Sequence, residues 1–275
     1  MTTPAKLGVF AAALGLLFGA AAIAGGAVKP LRSAAKPSAD MGMDVMAVRG
    51  LAVSDDDFTL HLAQRTAQQG KRFELAFRIT DNRGATVTDF DVEHTKRMHF
   101  IVVRRDGTGF KHLHPRMDAD GTWHVRLTLP EAGSYRAFAD FKRGDTAYTL
   151  ATDLAVDGGA DYRPLPAPAT TADTGDGYQV RLDRSPLRGG REAQLRFTVT
   201  HEGKVVRTEP YLGAGGHLVA LREGDLAYLH VHPDEQGESV SFMTEFPSAG
   251  RYRLYLQFKH DGRVHTAEFT QEVSR

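Results

Sequence analysis

The sequence predicts an all-β protein: two tandem immunoglobulin-like β-sandwich domains behind an N-terminal transmembrane (or signal) helix. Three observations carry that expectation. A unit of about 100 residues occurs twice, the usual size of such a sandwich. Both copies alternate polar and apolar residues in short runs, and one long uncharged segment stands ahead of them.

Composition sets the outer bounds. The chain has 275 residues, 41% hydrophobic and 25% charged, as in a folded globular protein. Its 34 basic and 34 acidic side chains balance, so nothing draws it generally to a phosphate backbone and nucleic acid is not an expected partner. The absence of cysteine excludes disulfides, thiolate zinc sites, iron–sulfur clusters and a cysteine nucleophile, and no haem is expected. Chemistry is left to histidine, of which there are 12, and to carboxylates, methionine and backbone.

Residues 7–28 are 22 consecutive uncharged positions, rich in Ala, Gly and Leu. A helix of that length spans about 33 Å, against a bilayer core of about 30 Å. The run therefore reads as a single-pass anchor in the cell membrane; a signal segment cleaved near Ala22-Ile23-Ala24, releasing a secreted protein, is the alternative. Lys29, Arg32 and Lys36 follow the run, which by charge alone favours a cytoplasmic body. An apolar segment ahead of a folded body favours export, so the body is placed outside the cytoplasm. Residues 29–47, without periodicity, read as a flexible tether.

The repeat is written residue by residue. Leu75 and Phe77 match Leu195 and Phe197; Gly84 and Val87 match Gly203 and Val206. His99, His112 and His114 match His217, His230 and His232, and the run from Pro130 to Arg136 matches that from Pro247 to Arg253. The offset drifts from 120 to 117, as small loop deletions produce. Residues 158–175, with Pro164, Pro166 and Pro168, read as a Pro/Ala linker, leaving repeat 1 at 48–157 and repeat 2 at 176–275. Period-two alternation over Arg72 to Ile79, Thr122 to Leu129 and Tyr135 to Phe141, and over their counterparts, gives strands with one buried face.

Histidine placement carries the functional reading. Apolar runs flank Asp106-Gly107, a two-residue type I′ hairpin signal, and Gly224-Asp225 suits type II′ at the equivalent place. Those turns set His99 opposite His114 and His217 opposite His232, and His112 and His230 share their partners' faces. Each repeat is thus expected to gather three imidazoles, which suits copper or zinc. His94 and Met98 stand close enough to join the first site; Leu212 and Gly216 replace them in the second copy. His61, His124, His201, His260 and His265 lack counterparts and read as surface residues. Type 1 copper chemistry is excluded, because Gln257 stands where a thiolate is needed. No nucleophile elbow or phosphate-binding loop occurs, and no catalytic motif marks an enzyme.

Met98-His99, His112-Leu113-His114-Pro115, Asp120-Gly121-Thr122-Trp123, Ala139-Asp140-Phe141, Tyr211 to His217 and Leu229 to Pro233 together resemble an uncharacterised family of membrane-anchored or secreted actinobacterial proteins with tandem β-sandwich repeats. The chain is also loosely similar to extracytoplasmic copper-handling domains. The resemblance implies an exported, metal-related role. Two functions follow as expectations: an extracytoplasmic metal-binding protein, or a non-enzymatic module of the cell envelope whose His-X-His-Pro corners brace hairpins. A hydrolytic metalloenzyme would need a carboxylate base that the sequence does not mark.

Overall fold

The computed structural model describes residues 48–55, 57–231 and 239–275, the side chains of His230 and Ser239 excepted. The apolar run 7–28, the tether 29–47 and His232 lie outside the described residues. Among the described residues no helix is long and apolar enough to cross a membrane.

Repeat 1 comprises β1 (Ser54–Asp55), β2 (Phe58–Leu62), β3 (Thr66–Gln68), β4 (Arg72–Thr80), β5 (His99–Arg104), β6 (Lys111–Leu113), β7 (Arg116–Met117), β8 (Trp123–Thr128), β9 (Gly133–Arg143) and β10 (Thr146–Asp157). They form two sheets, β1-β2-β4-β8-β7 and β3-β10-β9-β5-β6. Repeat 2 comprises β11 (Thr171–Asp173), β12 (Tyr178–Arg184), β13 (Glu192–His201), β14 (Lys204–Val205), β15 (His217–Arg222), β16 (Tyr228–Val231), β17 (Ser239–Glu245), β18 (Gly250–His260) and β19 (Arg263–Val273). Its sheets are β11-β12-β13-β14, with β17 also on β13, and β16-β15-β18-β19.

Alternation explains the cores. In β4, Leu75, Phe77 and Ile79 are buried while Glu74 and Arg78 are exposed. With Trp123, Val125 and Leu127 of β8 they pack on Phe100 and Val102 of β5 and Ala137 and Ala139 of β9. Phe77 stacks on Phe100 with ring centroids 4.6 Å apart. Repeat 2 reproduces this sandwich through Leu195, Phe197, Leu218, Phe242 and Leu256. Each repeat also carries one backward bond, Tyr135 OH donating to Glu131 O (2.9 Å) and Tyr252 OH to Ser248 O (3.0 Å).

The outward faces of β5 and β15 are covered too, and that covering places the site. All six positions of β5 are buried. Its run Phe100-Ile101-Val102-Val103 is continuously apolar, as a strand buried on both faces requires. Phe100 and Val102 face the repeat 1 core, whereas Ile101 and Val103, with Phe138, join Val219, Leu221, Tyr228 and Tyr255 in a third cluster between the repeats. The aromatic pairs there are exchanged between repeats: Phe110 stacks on Tyr255 at 4.0 Å, and Phe138 on Tyr228 at 5.1 Å.

The segment between the repeats is extended, and it is bonded along its length. Arg251 donates to Leu165 O and Pro166 O at 2.9 Å each, Gln271 Nε2 donates to Ala169 O at 2.6 Å, and Ser134 N donates to Tyr162 OH at 2.7 Å. Prolines remove donors but leave carbonyls that need partners, and the two arginine contacts answer that need.

Candidate metal centre

Two hairpins build the centre. β5 and β6 pair with Ile101 opposite His112, and β15 and β16 with Val219 opposite His230. This is the register expected from the sequence, reached through different turns. Asp106 lacks the positive φ that a type I′ turn demands; Gly107 (φ 78°) and Gly109 (φ 65°) take the left-handed positions. The turn closes through Gly107 N donating to Arg104 O (2.8 Å) and Arg104 N to Thr108 O (2.9 Å), while Asp106 accepts from Thr108 N and Oγ1. In repeat 2 the loop runs from Arg222 to Ala227, with Leu226 N donating to Arg222 O at 2.9 Å, so Gly224-Asp225 is not a two-residue turn either.

A second, smaller turn precedes each first histidine. Glu93 and Lys96 exchange backbone bonds (2.8 and 3.0 Å) around left-handed His94 and Thr95; Tyr211 and Ala214 do the same (2.7 and 3.1 Å) around Leu212 and Gly213. The carbonyl that opens each turn also accepts from the imidazole six residues on: His99 Nε2 to Glu93 O at 3.3 Å, and His217 Nε2 to Tyr211 O at 3.1 Å. Both rings are thereby held in the tautomer that leaves Nδ1 as the basic nitrogen.

His99, His112 and His114 offer one ring nitrogen each within 4.8 Å of one another, with His99 and His112 buried and His114 half-buried. His99 Nδ1 and His112 Nε2 are 2.9 Å apart. On its far side, His112 Nδ1 donates to Gln257 Oε1 at 2.8 Å, and Gln257 Nε2 donates to Thr266 Oγ1 at 3.3 Å, which turns Oε1 toward the ring. His114 Nε2 is buried without a hydrogen-bond partner among the described residues. Metal-binding imidazoles usually donate their other N–H to a carbonyl or carboxylate, and His99 and His112 both show that arrangement.

Burial holds the His114 ring neutral, and the nearby His99, Lys96 and His217 add to this, pushing its pKa from 6.5 down to about 3. Burial also lowers His94. Opposite His99 on β9 stands buried Asp140, which accepts from Thr149 Oγ1 (2.8 Å) and from Tyr228 OH (3.3 Å). Burial and the Asp140 charge raise the Tyr228 phenol well above its usual range, so it stays a donor. A cleft of about 530 Å³, lined by Glu74, Arg116, Asp118, His124 and Arg126, reaches His114 from outside.

The residues picked out by sequence do not all fall in one place. His99, His112 and His114 come together. His217, which the sequence assigns to a centre in repeat 2, has its ring 6.1 Å from His99 and 6.0 Å from His112 between centroids, because the outward faces of the two hairpins meet. His230 is placed only by its backbone opposite Val219, and His232 is outside the described residues. Of the two extra candidates, His94 sits edge-on to His217 at 5.5 Å. Met98 is a correction: it is 1% exposed and packs in the repeat 1 core, one residue out of phase with His99. Met98→Leu is accordingly expected to leave metal affinity unchanged in a zinc titration; a tenfold loss would return the thioether to the site.

Sequence reasoning missed Gln257 and Asp140 as parts of the centre. Both are polar residues at matching places in the apolar runs Ala137–Phe141 and Leu254–Phe258, and that is their signal. His265, read as a surface residue, is buried, its Nδ1 2.7 Å from Asp176 Oδ2 and its Nε2 3.2 Å from His260 O. His61 is exposed, and His124 lies between Glu74 and Asp118 at 3.2 and 3.0 Å.

Fold and site define an all-β tandem-repeat protein with a buried group of histidines beside the contact between its repeats. The chain belongs to a family described as a domain of unknown function (DUF8832), matched twice, over residues 52–158 and 171–275. No curated protein matches it. Among solved structures it is similar to FdeC, an Escherichia coli adhesin, at 16% identity over 82% of this chain and 66% of that one, with a TM-score of 0.29. It is also similar to Salmonella alpha-2-macroglobulin reacted with methylamine (14% identity, 85% of this chain and 16% of that one, TM-score 0.29). A chimeric titin Z1Z2 tandem matches at 14% identity, over 78% of this chain and 98% of that one, with a TM-score of 0.22. The chain thus spans 66% of the adhesin's length and 16% of the macroglobulin's.

Proposed function

We propose that the protein is an extracytoplasmic, membrane-anchored metal-binding protein that holds copper or zinc through His99, His112 and His114. The observation that carries this reading is the convergence of three ring nitrogens within 4.8 Å while two of the rings are fixed from behind by oxygen acceptors. With the outer nitrogens of His99 and His112 donating, the 2.9 Å contact between their inner nitrogens sets two lone pairs together unless a proton or a cation lies between them. An imidazole set without thiolate suits zinc or copper, with ligand bonds of about 2.0–2.1 Å. Placement outside the membrane rests on the apolar run 7–28, as an anchor or as a removed signal. Immunoglobulin-like folding of each repeat is supported by the two tyrosine corner bonds.

The other reading is a bracing one, in which the histidines tie loops to hairpins; the carbonyl bonds of His99 and His217 favour it. Titration of the full chain with zinc and with copper(II), followed by elemental analysis after dialysis, separates the two. One tightly held equivalent per chain, lost when His99, His112 and His114 are all replaced by Ala, is the expected result. Equal binding by the wild type and that variant would leave only the brace.

Acid should act in two ways. Protons compete with the metal for the imidazole nitrogens, so affinity falls as pH drops. In the metal-free protein the lowered His114 pKa has its own sign. The unfolded ring takes a proton near 6.5 and the folded one only near about 3, so the contribution of His114 is complete above 6.5 and is lost as pH falls toward 3. Thermal melts at pH 7 and pH 4.5 are expected to show a smaller acid-induced drop for His114→Ala than for wild type. An equal drop would mean that the ring is not held neutral.

A further inference from the structure

We propose that the metal ion ties the two repeats together, with His217 of repeat 2 completing the set formed by His99, His112 and His114 of repeat 1. This rests on the reading that the three-histidine group takes a metal. Four imidazoles around a tetrahedral ion, bound at about 2.0–2.1 Å, place their ring centroids about 5.2 Å apart. The first three rings stand at 5.2 Å (His99–His112), 5.2 Å (His99–His114) and 4.8 Å (His112–His114). His217 stands at 6.1 Å from His99 and 6.0 Å from His112, about an ångström beyond that spacing from each of those two rings.

Its ring is also prepared in the way that His99 is. Each is the first residue of its hairpin, and each donates Nε2–H to the carbonyl that opens a left-handed turn six residues upstream. The shared device assigns Nδ1 to the metal in both rings, one from each repeat. The contact surface around them holds the hairpins in register across the joint. His112 of repeat 1 is oriented by Gln257 of repeat 2, Tyr255 OH donates to Gly107 O at 2.5 Å, and Ile101, Val103, Val219 and Leu221 fill the space between. An ion at this point is therefore a cross-link. Occupancy fixes the joint between the repeats, and loss of the ion removes its one coordinate tie.

The test uses the full chain with zinc, and with cobalt(II) as a spectroscopic probe. Zinc affinity by chelator competition is expected to fall at least about 100-fold in His217→Ala, since loss of even an outer-shell partner costs about 10–100-fold. The cobalt visible bands should shift as a solvent ligand replaces imidazole. Hydrogen exchange should slow on metal addition in both β5 and β15 of the wild type, but in β5 alone in the variant. His217→Gln, closer in volume, serves if the alanine variant does not fold; zinc-dependent protection of β15 in the wild type is read in either case. Unchanged zinc affinity and an unchanged cobalt spectrum in the variants would overturn the bridge and leave the three-histidine site standing. Failure of the wild type to bind metal would overturn both.

Discussion

Replacing Arg104 with alanine is expected to destabilise the protein by about 3–5 kcal/mol, the cost of stranding one partner of a buried ion pair. Arg104 ends β5 and its side chain is 2% exposed. Its guanidinium donates Nε to Asp106 at 3.0 Å and Nη1 to Ala132 O at 3.2 Å, pairs with Glu131 at 2.7 Å, and reaches Asp161 O in the segment between the repeats. Asp106 is 4% exposed; burial acts to raise its carboxyl, but Arg104, the Arg163 N–H and Thr108 together hold it well below the usual carboxylate range. Alanine at 104 leaves that charge buried without its cation. The repeat supplies a control. Arg222 pairs with Asp225 in the same way, but the two side chains are 20% and 41% exposed, so Arg222→Ala is expected to cost about 1 kcal/mol or less. Urea denaturation at pH 7 measures both. Comparable midpoint shifts for the two variants would mean that burial of Arg104 does not set its worth. Arg104→Met combined with Asp106→Asn is expected to recover much of the loss, because both charges then leave together.

The same pair shows what sequence could and could not disclose. The spacing of His99, His112 and His114 encoded a shared face through strand parity, whatever the turn. The Asp106-Gly107 signal named the right place and the wrong geometry. A two-residue turn would have required positive φ at Asp106, whereas Asp106 is committed to a buried arginine and Gly107 takes the left-handed position. Met98 was attractive by proximity, yet adjacent strand residues point to opposite faces, and His99 had already claimed the outward one. The joining of the two repeats was legible only in composition. Ile101 and Val103, and likewise Val219 and Leu221, are apolar on a face that an isolated sandwich would leave wet. Periodicity within one repeat carries no information about which surface covers that face. One repeat read alone therefore gives His217 a centre of its own, whereas the packing sets its ring beside those of His99 and His112.

Metal addition is expected to raise the thermal midpoint by about 8–16 °C when the free ion is about 1,000-fold above its dissociation constant. At that ratio a ligand specific to the folded state contributes about 4 kcal/mol, and a chain portion of this size gains about 2–4 °C per kcal/mol. The physical source is specific to the site. Without the ion, folding brings ring nitrogens of three imidazoles within 4.8 Å of one another and buries His114 Nε2 without a hydrogen-bond partner among the described residues, a cost that the unfolded chain avoids by keeping its rings hydrated. With the ion, the nitrogens that opposed folding become its ligands. Calorimetric scans with zinc, with copper(II) and after excess chelator read the effect directly. Chelation should return the midpoint to its starting value, and the variant lacking His99, His112 and His114 should not respond to metal at all. A rise of the same size in that variant would assign the stabilisation to some other residues, such as the exposed pairing of His124 with Glu74 and Asp118. Without metal the variant also loses the bonds from His99 to Glu93 O and from His112 to Gln257 Oε1, so each protein's response is read against its own metal-free midpoint.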